Sequence, residues 1–180
     1  MYVTTVSECL DVYFKKTIFF DNNLFFPESI FYEDNAILTT LFYLCKRFKY
    51  LEEPLYYYAS APTSVTNSST VKKMSDRTTT IGMHMDNVKR FCDDDKEKEL
   101  LNLVALRLCY RSLYMCAQFS RKEIKEVLDR TSKLVHNCLP NSYFKQMSLL
   151  KLFVVKHPLF SFYAFKIIRI IMPVYRRFHK

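Results

Sequence analysis

A chain of 180 residues with a single glycine, Gly82, has nowhere to build a loop of repeated glycines. Phosphate-wrapping loops need residues that take positive φ freely and let the backbone approach the ligand closely. P-loop nucleotide enzymes, Rossmann dinucleotide binders and kinase-type loops are therefore excluded for this sequence. Hydrophobic residues make up 49% and charged residues 25%, the balance of a folded chain rather than a disordered one. The length suffices for one buried core, as one domain or one domain with an appendage.

Charge is distributed unevenly. Residues 1–129 hold 17 Lys/Arg against 18 Asp/Glu, whereas residues 130–180 hold 10 Lys/Arg and no acidic residue. The net +9 is thus confined to the last 51 residues, which points to a polyanionic partner acting on one end. Six cysteines (Cys9, Cys45, Cys92, Cys109, Cys116, Cys138) occur without CxxC or zinc-like Cys/His spacing. They read as reduced cytosolic thiols. Met1 to Thr5 carries no signal-peptide pattern. No apolar run reaches the ~20 residues that span a bilayer; the longest, Leu159 to Val174, is broken by Lys166, Arg169 and Pro173.

Asp21-Asn22-Asn23 is a turn signal, and Glu33-Asp34 suits the positive end of a helix with an apolar face of Ile37, Leu41, Leu44, Cys45 and Phe48. Lys49-Tyr50-Leu51 and Leu55-Tyr56-Tyr57-Tyr58 read as short strands, and Ser60 to Ser69 as a loop. Beyond it the pattern is helical. Val71, Met74, Thr78, Ile81, Met85 and Val88 line one face. A second helix, capped by the Asp93-Asp94-Asp95 run, carries Leu100, Leu103, Val104, Leu108 and Leu113. Ser120 and Glu123 form a capping box for a third, with Ile124, Val127, Leu128 and Val135 inward. A fourth runs from Asn141 to His157, and a last stretch from Pro158 towards Pro173. The histidines are isolated, with no second ligand at i+3 or i+4, and no metal site is assigned in this chain.

The stretch Leu24 to Asn35 places Tyr32-Glu33-Asp34-Asn35 at a helix mouth. An ionised Asp34 there, favoured by the helix dipole, could take a proton from a substrate hydroxyl. Locally, an acidic pair in that position is most often a cap. Phe25-Phe26-Pro27-Glu28, Tyr32-Glu33-Asp34-Asn35, Lys49 to Tyr58 and Ser64-Val65-Thr66-Asn67-Ser68, taken together in order and spacing, resemble family 2 glycosyltransferases of the bacterial surface-polysaccharide type. The resemblance covers roughly residues 10–70.

That resemblance implies an α+β, mostly α fold. Residues 1–67 would be the closing segment of a GT-A (Rossmann-like) domain, and residues 68–180 a C-terminal helical extension. It implies Asp34 as the base of an inverting transfer with Glu33 beside it, and Tyr32, Tyr58 and Ser64 at the substrates. A nucleotide-sugar donor and a divalent metal (Mn or Mg) are implied for the complete enzyme, and a glycan or lipid-linked glycan as acceptor. Three departures stand out: the N-terminal donor-binding half with its DxD motif is missing, Leu10-Asp11-Val12 replaces a Trp-x-Lys segment, and Ala59 stands where a basic residue is common. The expectation is a chain inactive without that half.

Residues 151–180 combine Phe160, Phe162, Tyr163, Phe165, Ile167, Ile168, Ile170 and Ile171 with positive charge only. This is the composition of an interfacial helix on an anionic membrane surface. Nucleic acid is not expected, because these aromatics are too apolar and too clustered for a base-stacking groove. The chain is expected in the cytoplasm, peripheral on the inner face of the membrane. The competing class is non-enzymatic: a helical membrane-peripheral binding or scaffold module in which Glu33-Asp34 is only a cap.

Overall fold

The computed structural model describes residues 12–50, 52, 68–138 and 149–178. All its regular elements there are helices: α1 (Lys16–Asp21), α2 (Glu33–Leu44), α3 (Val71–Phe91), α4 (Asp95–Cys116), α5 (Arg121–Cys138), α6 (Leu149–Lys156) and α7 (Pro158–Phe178). The α+β expectation, with its closing GT-A segment, is corrected to all-α for the described residues. Lys49 and Tyr50 were expected in a strand but form none. Tyr50 is 84% exposed, and among the described residues no segment pairs with it in a ladder of hydrogen bonds. The other expected strand, Leu55 to Tyr58, lies outside the described residues.

The bundle is assembled from helix faces. Ile81 and Met85 of α3 meet Ala105, Leu106 and Cys109 of α4, Val135 of α5 and Val155 of α6. Farther along, Met74 of α3 and Leu113 and Cys116 of α4 meet Ile124, Val127 and Leu128 of α5 and Phe162 and Phe165 of α7. A smaller core under α2 joins Leu24, Ala36, Ile37 and Leu41, with Phe91 of α3 packed on it. Asn87 Nδ2 donates to Ala36 O at 3.0 Å, tying α3 to α2 across the expected boundary at residue 67.

Helix ends follow their sequence signals. Ser120 N donates to Glu123 Oε2 at 2.8 Å and Glu123 N to Ser120 Oγ at 3.3 Å, a complete capping box. Asp94 Oδ1 accepts from Lys96 N and Glu97 N at 2.9 Å, so the aspartate triplet caps α4. Pro173 does not end α7, which continues to Phe178. Leu100, expected inward on α4, is exposed, while Asn102, Ala105, Cys109 and Ser112 turn inward. No helix among the described residues is long and apolar enough to cross a membrane.

Candidate functional site

Where α2 begins, the chain is forced into an uncommon shape. Tyr32, its N-cap, sits at φ 63°, ψ 34°, a left-handed conformation costing roughly 1–2 kcal/mol for a residue with a Cβ. Three contacts hold it there. Phe31 N donates to Asp76 Oδ2 at 3.1 Å, Asn35 N donates to Tyr32 O at 3.0 Å, and the Arg77 guanidinium lies 4.5 Å from the Tyr32 ring centroid. Tyr32 offers no side-chain cap, and Asp34 does part of that work: its Oδ1 accepts from Asn35 N at 2.8 Å.

Asp34 is half-buried, and Glu33 is exposed. Burial pushes the Asp34 carboxyl above its ordinary 3.8, and the Glu33 charge adds to the rise. The Asn35 N–H and the Arg77 guanidinium oppose it. Lost hydration is the largest cause of the rise, ahead of the Asn35 N–H that favours the anion. A carboxylate of raised proton affinity is a better base for a hydroxyl than an ordinary surface aspartate.

Arg77 is the residue that the motif reading missed. It is 5% exposed, on the inward stripe of α3 one turn from Met74 and Ile81. Its Nη1 donates to Met115 Sδ at 2.8 Å, and its Nε has no partner. Burial lowers its proton affinity, with the Arg111 charge adding; Tyr32 and Asp34 pull the other way. The signal was available, since a charged side chain placed on an apolar stripe must either face inward or spoil it. Lys73, also buried, donates to Ser68 O at 2.6 Å and Ser68 Oγ at 2.8 Å, with its Nζ 5.2 Å from the Phe31 ring. Tyr32 is therefore brought against Arg77, whose charge Asp34 feels, and Lys73 lies over Phe31, while Tyr58 and Ser64 lie outside the described residues.

Among the described residues no three His, Cys, Asp or Glu side chains converge as a metal site. In the carboxylate run Asp93 to Asp95, Asp94 caps α4 and Lys98 Nζ lies 3.6 Å from Asp95 Oδ1.

The second feature is α7. Phe162 and Phe165 point into the bundle, Phe165 packing edge-on against Tyr110 and Tyr114 at 5.7 and 5.4 Å. At 100° per residue, Leu159, Phe160, Tyr163, Ile167, Ile170 and Ile171 fall on the opposite side, and all are exposed. This outward half carries no charge between residues 159 and 171. Lys166 borders it, over the Phe162 ring at 5.1 Å, and Arg169 lies on the bundle side, over the Tyr114 ring at 5.8 Å.

No family model matches the chain, and no curated protein or solved structure matches it either.

Proposed function

We propose that this chain supplies the acceptor side of an inverting glycosyl transfer, with Asp34 as base, at the cytoplasmic face of a membrane to which α7 adheres. The observation that carries the proposal is the half-buried Asp34 carboxyl of raised proton affinity, set beside the buried Arg77 and the strained Tyr32. Strain of that kind concentrates where a group must be held in one position. The order and spacing of the motifs from Phe25 to Ser68 support the same reading.

In this reaction Asp34 takes the proton of an acceptor hydroxyl as its oxygen attacks the anomeric carbon of a nucleotide-sugar. The bond from that carbon to the diphosphate breaks on the opposite side, the nucleotide leaves with the electron pair, and the configuration inverts. Arg77 fixes Tyr32 and, through it, the entry of α2. Tyr58 and Ser64 face the substrates by resemblance. The donor and any Mn or Mg belong to a donor-binding half other than the residues described, and no step is assigned to a metal here. The GT-A fold forms no part of the proposal.

The outward face of α7 also favours a second reading, a non-enzymatic membrane-peripheral scaffold. Sugar transfer to lipid-linked acceptor, measured in membranes of cells producing the full chain, separates the two. Asp34→Asn is expected to lower transfer about 10²–10⁴-fold. Equal transfer by the variant, or no transfer attributable to the wild-type chain, would favour the scaffold.

A further inference from the structure

A groove of about 400 Å³ separates the outer edges of α3 and α5. Arg130 of α5 lines it and is held in place: Nη1 donates to Ser75 Oγ at 3.2 Å and Nη2 to Thr79 Oγ1 at 2.5 Å. These bonds occupy two of the guanidinium's five N–H groups. Lys133, on the same face of α5, lines the groove as well. Asp86 of α3 lines it about two turns beyond Thr79. Among the described residues none of these three charges forms an ion pair.

Gly82, the one glycine of the chain, lines the same groove. A glycine inside a helix costs stability relative to alanine. Nothing in the fold calls for it: its φ is not positive, and an added Cβ would meet only Leu134 Cδ2, at an ordinary 3.6 Å. A side chain longer than alanine would instead fill the space between Met83 and Leu134. The anchored cation and the missing side chain are separate observations, and both point to an occupant. No aromatic ring lines the groove for a nucleobase to stack on, and its apolar strip is short. An anion suits Arg130 and Lys133, a hydrogen-bond donor suits Asp86, and a compact body with a C–H face suits Gly82 between them. A sugar bearing an acid group has all three.

We propose that this groove binds one acidic sugar, with its phosphate or carboxylate on Arg130 and Lys133, its ring over Gly82, and a hydroxyl donating to Asp86. Because Ser75 and Thr79 already hold the guanidinium, its free N–H groups meet the acid without first losing the freedom of a surface side chain. Lys133 adds charge at that end. Asp86 would repel a bare anion but accepts from a sugar hydroxyl, which selects the sugar over its acid group alone. The site shares no residue with Asp34, Tyr32 and Arg77, and it stands whether or not the chain transfers sugar.

The test titrates the full chain with glucose 6-phosphate and with glucuronate, followed by calorimetry and amide chemical shifts. Glucose and inorganic phosphate serve as comparisons. Saturable binding of an acidic sugar is expected, with shifts at Thr79, Gly82 and Leu134, and at least about tenfold weaker binding of both comparison molecules. The tighter of the two acidic sugars tells whether the acid is a phosphate or a carboxylate. Arg130→Lys keeps the charge but loses the anchored fork, and should weaken binding about tenfold. Gly82→Leu fills the groove without touching a charge and should abolish binding while the helical circular dichroism is kept. Asp86→Asn should weaken the acidic sugar and tighten inorganic phosphate. Lys122→Ala, an exposed cation of α5 outside the groove, should change nothing. No saturable binding of either acidic sugar, or equal affinity for inorganic phosphate, overturns the proposal. So does undiminished binding by a folded Gly82→Leu variant. Should that variant not fold, tighter binding of the acidic sugar by Asp86→Asn overturns it equally, since Asp86 would then only repel.

Discussion

The guanidinium of Arg77 lies over the Tyr32 ring, 4.5 Å from its centroid, and this contact joins the middle of the bundle to the entry of α2. A buried cation without a carboxylate in ion-pair distance is costly, and here the ring's negative face and the field of Asp34 offset part of that cost. Arg77 in turn lowers the proton affinity of Asp34.

Replacing Arg77 by methionine should therefore move the Asp34 carboxyl further above 3.8. A carbon-detected titration of the side-chain carboxyl reads the shift directly. An unchanged titration in a folded Arg77→Met variant would show that the two groups do not interact.

Asp34 itself should weaken the fold at neutral pH. Its folded proton affinity is raised, so the folded chain holds that proton more tightly than the unfolded chain. Stability linked to this group is greatest at acid pH and is lost as pH rises from 3.8 through the folded value. Asp34→Asn, which cannot ionise, should raise the denaturant midpoint at pH 7 and give a smaller gain below 3.8. A lower midpoint at pH 7 would identify Asp34 as a cap first.

His84 supplies the opposite dependence. Its ring is fully enclosed, Nε2–H donates to Leu101 O at 3.2 Å, and Nδ1 has no partner. Burial brings its pKa down to about 4 from 6.5, with the Leu101 bond opposing. The stability linked to the neutral ring is present above 6.5 and is lost as pH falls towards 4, by roughly 3 kcal/mol in all. Unfolding curves between pH 7 and 4 should show this loss, and His84→Gln should flatten it.

The outward face of α7 can be altered without touching the core. Ile167 is 57% exposed and Ile170 is 72% exposed, so Ile167→Glu with Ile170→Glu should leave the circular dichroism and thermal midpoint near wild type. Co-sedimentation with anionic vesicles should be abolished. Wild-type binding should weaken with salt as the screening length falls to about 3 Å at 1 M. Equal sedimentation of both proteins would place lipid contact elsewhere.

Local signals were read most faithfully where one side chain answers one backbone group. Ser120 and Glu123 announced the start of α5, and Ile124, Val127, Leu128 and Val135 are all buried as their spacing required. On α4, Leu108 and Leu113 are buried and Leu103 and Val104 pack on the core, while Leu100 is exposed. The small residues Ala105, Cys109 and Ser112, which the apolar pattern passed over, are buried as well. Gly82 lies inside α3, where an added Cβ would meet Leu134 Cδ2 at 3.6 Å, an ordinary contact, so neither a turn nor close packing requires a glycine there. Tyr50 shows the limit of strand propensity, since a β-favouring residue forms no strand where no described segment pairs with it. In the candidate site, Asp34 was legible from its motif. Arg77 was legible only as a charge on the apolar stripe of α3; its partners Tyr32 and Met115 come from helix packing rather than from neighbours in sequence.

The route from Asp34 to the outward face of α7 runs entirely through packed helices: α2 on α3, α3 on α4, and α4 on α7. No hinge or tether intervenes among these elements. Under the proposal that α7 lies on a bilayer and Asp34 is the base, these contacts would hold Asp34 within one range of heights above the lipid. A lipid-linked acceptor would be met only where its terminal hydroxyl reaches that range. The bundle would then act as a gauge of chain length, passing over acceptors that stand too low or too high without having to recognise their sugars.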